Sequence, residues 1–405
     1  MTSVFTIPAQ EIDSPRFIPV ERLVLAALGE VFPAAAILIA VEGEVVYQRG
    51  FGKLDSTADH PTPLQARFDL ASLTKLFTLT AFLRLVGEGI VELDTPVGEV
   101  LADFRGQRIV GPAEDPIAKQ PLPADPKYAG QSVRLEGITF RHLLTHSSGL
   151  AAWRSVYSQD DTRRPVPLPH DVSPALRRER VQAVYAYDFA FPPGVRILYS
   201  DLGFILLGEA IARLAGFPLE NCIQQLVCHP LGLIQTGYNP LADGIDPAAI
   251  APTEICAWRE RRCRGEVHDE NAAGLGGVAG HAGLFSTAAN LATLGQMYLG
   301  HGSLNDAQLL PAALVEEATR EQAMLGGLRR GLGWVLQTEQ DCSCGKFFGR
   351  RSFGHTGFTG TSLWIDPERG LLVVTLTNRV YYGRDPAGIM AFRPRLHDAV
   401  IEALA

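Results

Sequence analysis

Ser72-Leu73-Thr74-Lys75 sets a hydroxyl and an amine three residues apart. On a helix, positions i and i+3 share a face, so the amine can reach the hydroxyl. A serine hydroxyl is a poor nucleophile until a base takes its proton. A lysine serves as that base if burial or a neighbouring cation lowers its pKa from about 10.4 toward neutrality. A serine at a helix N-terminus also puts backbone N–H groups and the helix dipole beside a developing oxyanion. The same Ser72 would make an ordinary helix N-cap, and the spacing alone does not choose. A second match, Ser343-Cys344-Gly345-Lys346, lies among Cys and Gly with no apolar periodicity to hold its side chains on one face.

Two later clusters carry further chemistry. Tyr199-Ser200-Asp201 follows the turn Pro192-Pro193-Gly194 and precedes an apolar stretch from Leu202. Ser200 or Asp201 would cap a helix there. Tyr199 is either a packed aromatic with a satisfied hydroxyl or a phenol available for proton transfer. Gly354-His355-Thr356-Gly357 lies just before a strand expected from Gly360. Small residues let a substrate backbone approach closely, and His355 or Thr356 would bind a carboxylate or relay protons. A polar turn between strands is the plainer reading.

Taken together, S-x-x-K at the mouth of a buried helix, Y-S-D before another helix and H-T-G before a late strand resemble the serine β-lactamase and penicillin-binding-protein superfamily. The order is most similar to its class C branch, which includes D-alanyl-D-alanine carboxypeptidases and β-lactamase-like esterases. His142 to Leu150, Tyr199 to Gly208 and His268 to Ser286 resemble the same branch, so the likeness runs from about residue 17 to the end. The resemblance implies an acyl-enzyme hydrolase of esters, amides or peptides, with no metal and no cofactor. It implies Ser72 as nucleophile, Lys75 as its proton shuttle and Tyr199 as general base or acid. It places Asp201 where a substrate amide binds, and His355, Thr356 and Gly357 where a substrate carboxylate is oriented. The backbone N–H groups of Ser72 and Phe358 stand as the oxyanion hole. A catalytically weak or non-catalytic penicillin-binding or regulatory protein is the alternative.

Two departures bear on substrate. Asp201 stands where the branch has Asn, exchanging a donor-and-acceptor amide for an acceptor-only carboxylate. That disfavours anionic groups nearby and favours amines. His355 stands where lactamases have Lys, so a fixed positive charge is lost. Both point away from a dedicated β-lactamase.

These residues need a scaffold. Apolar positions Val20, Leu23, Val24, Ala27, Leu28 and Val31 recur at helical spacing, predicting a helix over 17–31 that Pro33 stops. Ala34 to Val41, the turn Glu42-Gly43 and Glu44 to Gly50 predict a β-hairpin. Leu73 to Val86 predicts a buried helix, and Leu202 to Leu214 another, ended by Gly216. Residues 111–131 and 159–175 are Pro-rich and polar and are expected to be loops; 274–283 is glycine-rich. Gly360 to Asp366 and Leu371 to Asn378 predict two strands, and Arg393 to Ala405 a closing helix. Strands at both ends with helices between predict an α+β fold, an antiparallel sheet built from both termini with helices against it. Residues 1–70 and 300–405 would form the sheet part and 71–299 the helical part, with the active site at their junction.

Composition narrows the rest. The chain has 405 residues, 46% apolar, with a net charge of −8. That argues against nucleic acid, which needs a basic face. The run Arg259-Glu260-Arg261-Arg262-Cys263-Arg264 reads as a solvated loop or strand face. None of the six cysteines has zinc-site C-x-x-C spacing, and reduced structural thiols are expected. His142 and His146, four apart, are expected in capping and packing roles. His268, Asp269, Glu270 and His281 show no metal-site spacing and are expected to line the substrate groove. Gly274-Leu275-Gly276-Gly277-Val278-Ala279 lacks the preceding strand a dinucleotide site needs. No apolar run reaches the length of a membrane span and Met1 opens no signal-peptide pattern, so a cytoplasmic protein acting on a small molecule is expected.

Overall fold

Ala34 to Val41 is apolar throughout, so neither face of that strand can be left to water. The computed structural model, which describes residues 4–55, 61–157, 166–325 and 327–405, buries both faces. The fold is α+β, as expected. Its central sheet comprises β1 (Ala34–Val41), β2 (Glu44–Gly52), β3 (Ala323–Leu325), β4 (Leu328–Arg330), β5 (Val335–Leu336), β6 (Phe353–Thr356), β7 (Ser362–Asp366) and β8 (Leu371–Thr377). Their spatial order is β3-β4-β5-β6-β7-β8-β1-β2, antiparallel throughout. The N-terminal hairpin joins the C-terminal strands by pairing β1 with β8, Ile37 opposite Thr375. Glu42 and Gly43 both take positive φ, 51° and 82°, as a two-residue hairpin turn requires.

Alternation along β1 divides the core in two. Ala35, Ile37 and Ile39 face α1 (Ile18–Ala27) and the closing helix, with Phe17, Val20, Phe392 and Leu396 filling the gap. Ala36, Leu38 and Ala40 join the larger core, which contains α2 (Thr74–Gly87), α3 (Asp201–Ala215) and α4 (Ala288–Leu299). The closing helix is α5 (Ala387–Leu404). Every residue of α2 from Thr74 to Leu83 is buried, so the helix that follows Ser72 is anchored on all sides.

Several expectations are corrected. α1 ends at Ala27 because Leu28 is extended (ψ 133°) and Gly29 takes φ 84°; Leu28 and Val31 pack on the outer core from the turn instead. α5 starts at Ala387 and carries Pro394 inside it, where a start near Arg393 was expected. Part of 111–131 is ordered as a short hairpin, Ala113–Glu114 with Pro121–Leu122. The expected loop over 159–175 lies partly outside the described residues; Pro174–Ala186 is a helix. The arginine run is only partly solvated, with Arg261–Arg262 forming a short strand. Arg259 is buried and donates to Val267 O at 2.7 Å, Arg261 pairs with Glu266, and Arg262 lies over the Tyr381 ring. All six cysteines are buried and free. Among the described residues no single helix is long and apolar enough to cross a membrane.

Candidate active site

Ser72 lies in a 3-10 turn, Ala71–Leu73, that runs directly into α2. Ala71 before it takes φ 46°, an unusual value for a residue with a side chain. Asp69 holds this turn from below: its carboxylate accepts from Ala71 N at 2.8 Å and His268 N at 2.6 Å. The strand end of the third motif is stitched to the same turn. Thr359 Oγ1 donates to Asp69 O at 2.7 Å and Thr361 Oγ1 to Leu70 O at 3.0 Å. Gly357 is needed there, because a Cβ would stand 2.5 Å from Leu70 O. Arg393 then donates to Gly357 O and Thr361 O, both at 2.8 Å.

Lys75 follows one turn along and is fully buried. Its Nζ lies 3.0 Å from Ser72 Oγ, 2.8 Å from Asp201 Oδ1 and 3.0 Å from His281 O. Three acceptors match the three protons of an ammonium. Burial acts to lower the Lys75 pKa, but Asp201 and then Tyr199 outweigh it, and the net shift is upward. The sequence expectation of an amine tuned toward neutrality is therefore corrected: the resting group is a cation. Gly280 lets the His281 carbonyl come this close, since a Cβ there would meet the α3 backbone, 2.9 Å from Gly208 N.

Ser200, not Asp201, caps α3, its Oγ accepting from Gly203 N at 3.3 Å. Asp201 is thereby free to face Lys75. Tyr199 lies beside both. Lys75 Nζ is 4.8 Å from its ring centroid. The hydroxyl is close enough to Lys75 and Ser72 for both to pull its pKa down against burial, which wins, yet it makes no well-aligned hydrogen bond. Two histidines flank the ring, His146 at 4.5 Å and His355 at 5.9 Å between centroids.

Both histidines are neutral, because burial first and then nearby cations (Arg330 and Lys75) hold their pKa values well below 6.5. His355 Nδ1 donates to Thr356 O at 2.9 Å, which leaves Nε2 bare and unpartnered. His355 is 2% exposed and offers a carboxylate no fixed charge. His142 does cap, its Nδ1 accepting from Thr139 N at 3.1 Å. His146 accepts from Ser200 N at 3.0 Å and packs on Tyr199.

Ser72, Tyr199, Asp201 and Phe358 line a cavity of about 700 Å³; Lys75, His355, Thr356 and Gly357 stand behind its wall. Phe358 is clamped, with His268 stacked at 5.5 Å and the Arg379 guanidinium 4.4 Å from its ring. One wall of the cavity is apolar, from Ile117, Leu122, Trp153 and Phe191. A polar part of the lining carries His268, Asp269, Glu270, His281 and Arg384, as expected for a groove lining. His281 Nε2 bonds Asp269 at 2.9 Å and, against the effect of burial, holds that carboxyl well below the usual carboxylate range. Arg384 bridges Glu254 and Glu270, both at 2.6 Å.

Among the described residues two groups have the proximity of metal ligands, Asp201 with Asp269 and His281, and Glu254 with Cys256 and Glu270. Lys75 already neutralises Asp201 in the first, and Arg384 both glutamates in the second. Neither set fits an added cation well. The sequence gives no sign that the His281 carbonyl accepts from Lys75 or that His146 packs on Tyr199. The Gly280-His281-Ala282-Gly283 context, inside the glycine-rich stretch, is the local signal that a backbone approaches closely there.

Comparison with known proteins agrees with this architecture. The family model described as Beta-lactamase matches residues 20–391. A protein of Escherichia coli (strain K12), described as "Putative D-alanyl-D-alanine carboxypeptidase", is 28% identical over 86% of this chain and 79% of its own length. The structure of a penicillin-binding protein homolog from Caulobacter crescentus superposes with a TM-score of 0.69 at 20% identity, covering 97% of this chain and 99% of that one. EstCE1, a hydrolase with promiscuous acyltransferase activity, gives 0.67 at 21% identity, covering 94% and 98%.

Proposed function

Because the chain belongs to the Beta-lactamase family, we propose that it is a serine hydrolase in which Ser72 attacks an ester or amide carbonyl and holds the acyl group until water releases it. The observation that carries this reading is the 3.0 Å approach of Lys75 Nζ to Ser72 Oγ on the floor of the cavity. The Lys75 ammonium stabilises negative charge on Ser72 Oγ as its proton leaves, and Tyr199, acting through its phenolate form, receives that proton and delivers it to the leaving group. The backbone N–H groups of Ser72 and Phe358 take the oxyanion, with Phe358 held by its two stacking partners. The site lies at the junction of a sheet part, 1–70 and 300–405, and a helical part, 71–299.

The apolar wall favours substrates with an apolar acyl or leaving group of moderate size. The neutral His355 gives a penicillin carboxylate no fixed cation, so penicillins should turn over slowly. A D-amino-acid peptidase is the second reading, favoured by the name given to the Escherichia coli relative.

The test is a fluorophosphonate or labelled-penicillin adduct located by mass spectrometry. Label on Ser72, absent in Ser72→Ala, is expected, with turnover of p-nitrophenyl esters lowered by at least about 10³-fold. Residual activity near wild type in Ser72→Ala would overturn the reading. A stable Ser72 adduct without turnover would identify the non-catalytic alternative.

A further inference from the structure

Arg330 ends β4 and is 9% exposed. Its Nε and Nη1 are buried without a hydrogen bond, and among the described residues no carboxylate pairs with it. Its guanidinium carbon lies 5.5 Å from the Tyr199 ring centroid. A buried cation with no counter-ion is costly, so a position that keeps one calls for a reason.

The groups around Tyr199 supply it. Lys75 reaches its ring from α2, Asp201 from the start of α3, Arg330 from β4, His146 from beyond the His142 turn and His355 from β6. The hydroxyl of Ser72 faces the phenol from the 3-10 turn. Both histidines are neutral. Two cations, Lys75 and Arg330, therefore lie against the Tyr199 ring, with the Asp201 carboxylate on Lys75 and the Asp269 carboxylate, bonded to His281, next to Asp201. Burial opposes ionisation of the Tyr199 phenol, and a second cation against its ring works in the other direction. That oxygen is buried and makes no hydrogen bond.

We infer that Arg330 is a positioning residue that works against the burial of Tyr199 and so brings its phenolate form within reach as a base, supplying from β4 the fixed charge that His355 does not carry. The inference rests on Ser72 being the nucleophile. As the Ser72 Oγ–carbon bond forms, the Oγ proton passes to the Tyr199 oxygen and the carbonyl electron pair moves onto the carbonyl oxygen. The phenol then returns the proton to the departing alcohol or amine as its bond to carbon breaks. Arg330 touches neither substrate nor proton; it acts through the ring it lies against.

The test measures kcat/KM for p-nitrophenyl acetate between about pH 5 and 10, in wild type, Arg330→Gln and Arg330→Lys. The Tyr199 phenolate is followed by near-ultraviolet difference titration against Tyr199→Phe. Loss of the guanidinium should move the ascending limb and the phenolate titration together to higher pH by about one unit. Arg330→Lys should fall between. A limb and a titration that stay at the wild-type position, or a loss of rate uniform across pH, would overturn the inference. If Arg330→Gln does not fold, wild type decides: a phenolate that appears along the limb supports the role, and a phenol protonated throughout the active range refutes it. A Ser72 adduct with unshifted Arg330 variants removes this inference alone; no Ser72 adduct removes it together with the proposed function.

Discussion

Asp201 Oδ1 accepts a hydrogen bond from Lys75 Nζ at 2.8 Å, in a pair whose lysine is wholly buried and whose aspartate side chain is 17% exposed. The pair exists because Ser200 takes over the helix cap. An asparagine at 201 could hydrogen-bond Lys75 but could not neutralise it. The carboxylate raises the pKa values of both Lys75 and Tyr199.

Asp201→Asn should therefore lower both. The ascending limb of kcat/KM is expected to move to lower pH, whichever of the two groups governs it. The sign for stability also follows. The folded Lys75 pKa lies above the unfolded value of about 10.4, so the pair stabilises the fold fully below that pH and is lost only as pH rises through the folded value. Removing its counter-ion should cost about 3 kcal/mol at neutral pH, read from urea unfolding. A limb that does not move, with unchanged substrate ranking, would leave Asp201 no role in the chemistry.

This pair also marks how far the sequence could be read. Ser72 and Lys75 are three apart on one helix, so their meeting is local and legible. The strands β1, β2, β7 and β8 were legible for the same reason, each carrying its own pattern. The charge state of Lys75 was not, because it depends on Asp201 and His281, 126 and 206 positions away. Arg330 was hidden in the same way: Leu-Arg-Arg-Gly looks like a surface turn until the sheet brings β4 to the Tyr199 ring. Arg259 failed in the opposite sense, its burial decided by the carbonyls of Val267 and His268 folding over it.

Acid should unfold the protein through buried neutral histidines. Burial lowers the His397 pKa to about 4, against the donation of its Nδ1 to Ser343 O at 2.8 Å. The unfolded imidazole protonates near 6.5. Between these values the unfolded state binds more protons, so stability falls as pH drops from about 6.5 through 4. His397 alone is expected to contribute up to about 3 kcal/mol of that loss, with His146 and His355 adding in the same direction. Urea melts of wild type and His397→Gln over this window check it. The variant should show a shallower pH dependence, and an identical slope would contradict the assignment.

The apolar wall should show in chain-length preference. Each added methylene that the wall buries contributes about 0.8 kcal/mol, so kcat/KM for p-nitrophenyl esters should rise up to about fourfold per carbon until the wall is covered. Leu122 lines the cavity yet is 42% exposed, so it can be changed without opening the core. Leu122→Asp should flatten the chain-length series and leave thermal stability nearly unchanged. A series that stays equally steep would place the acyl group elsewhere.

The hairpin that bears Leu122 is tied over the cavity at its first strand, by Arg154 to Glu114 at 3.4 Å, and at its turn, by Lys119. Lys119 Nζ lies 2.7 Å from Glu270 Oε1 and 5.3 Å from the Trp153 ring centroid, with 21% and 8% of the paired side chains exposed. Arg196 to Asp125, at 2.8 Å, is the more exposed tie behind it. Lys119→Gln removes the charge and leaves a polar group of similar reach, so the fold should survive while the hairpin loosens. KM is then expected to rise about fivefold, the equivalent of about 1 kcal/mol of lost wall contact, with kcat held, since no atom near Ser72 moves. Amide hydrogen exchange should quicken across 113–122 and nowhere in α2. A fall in kcat at constant KM would mean that Glu270, once released by Lys119, acts on the chemistry itself through the polar wall it shares with Arg384 and Asp269.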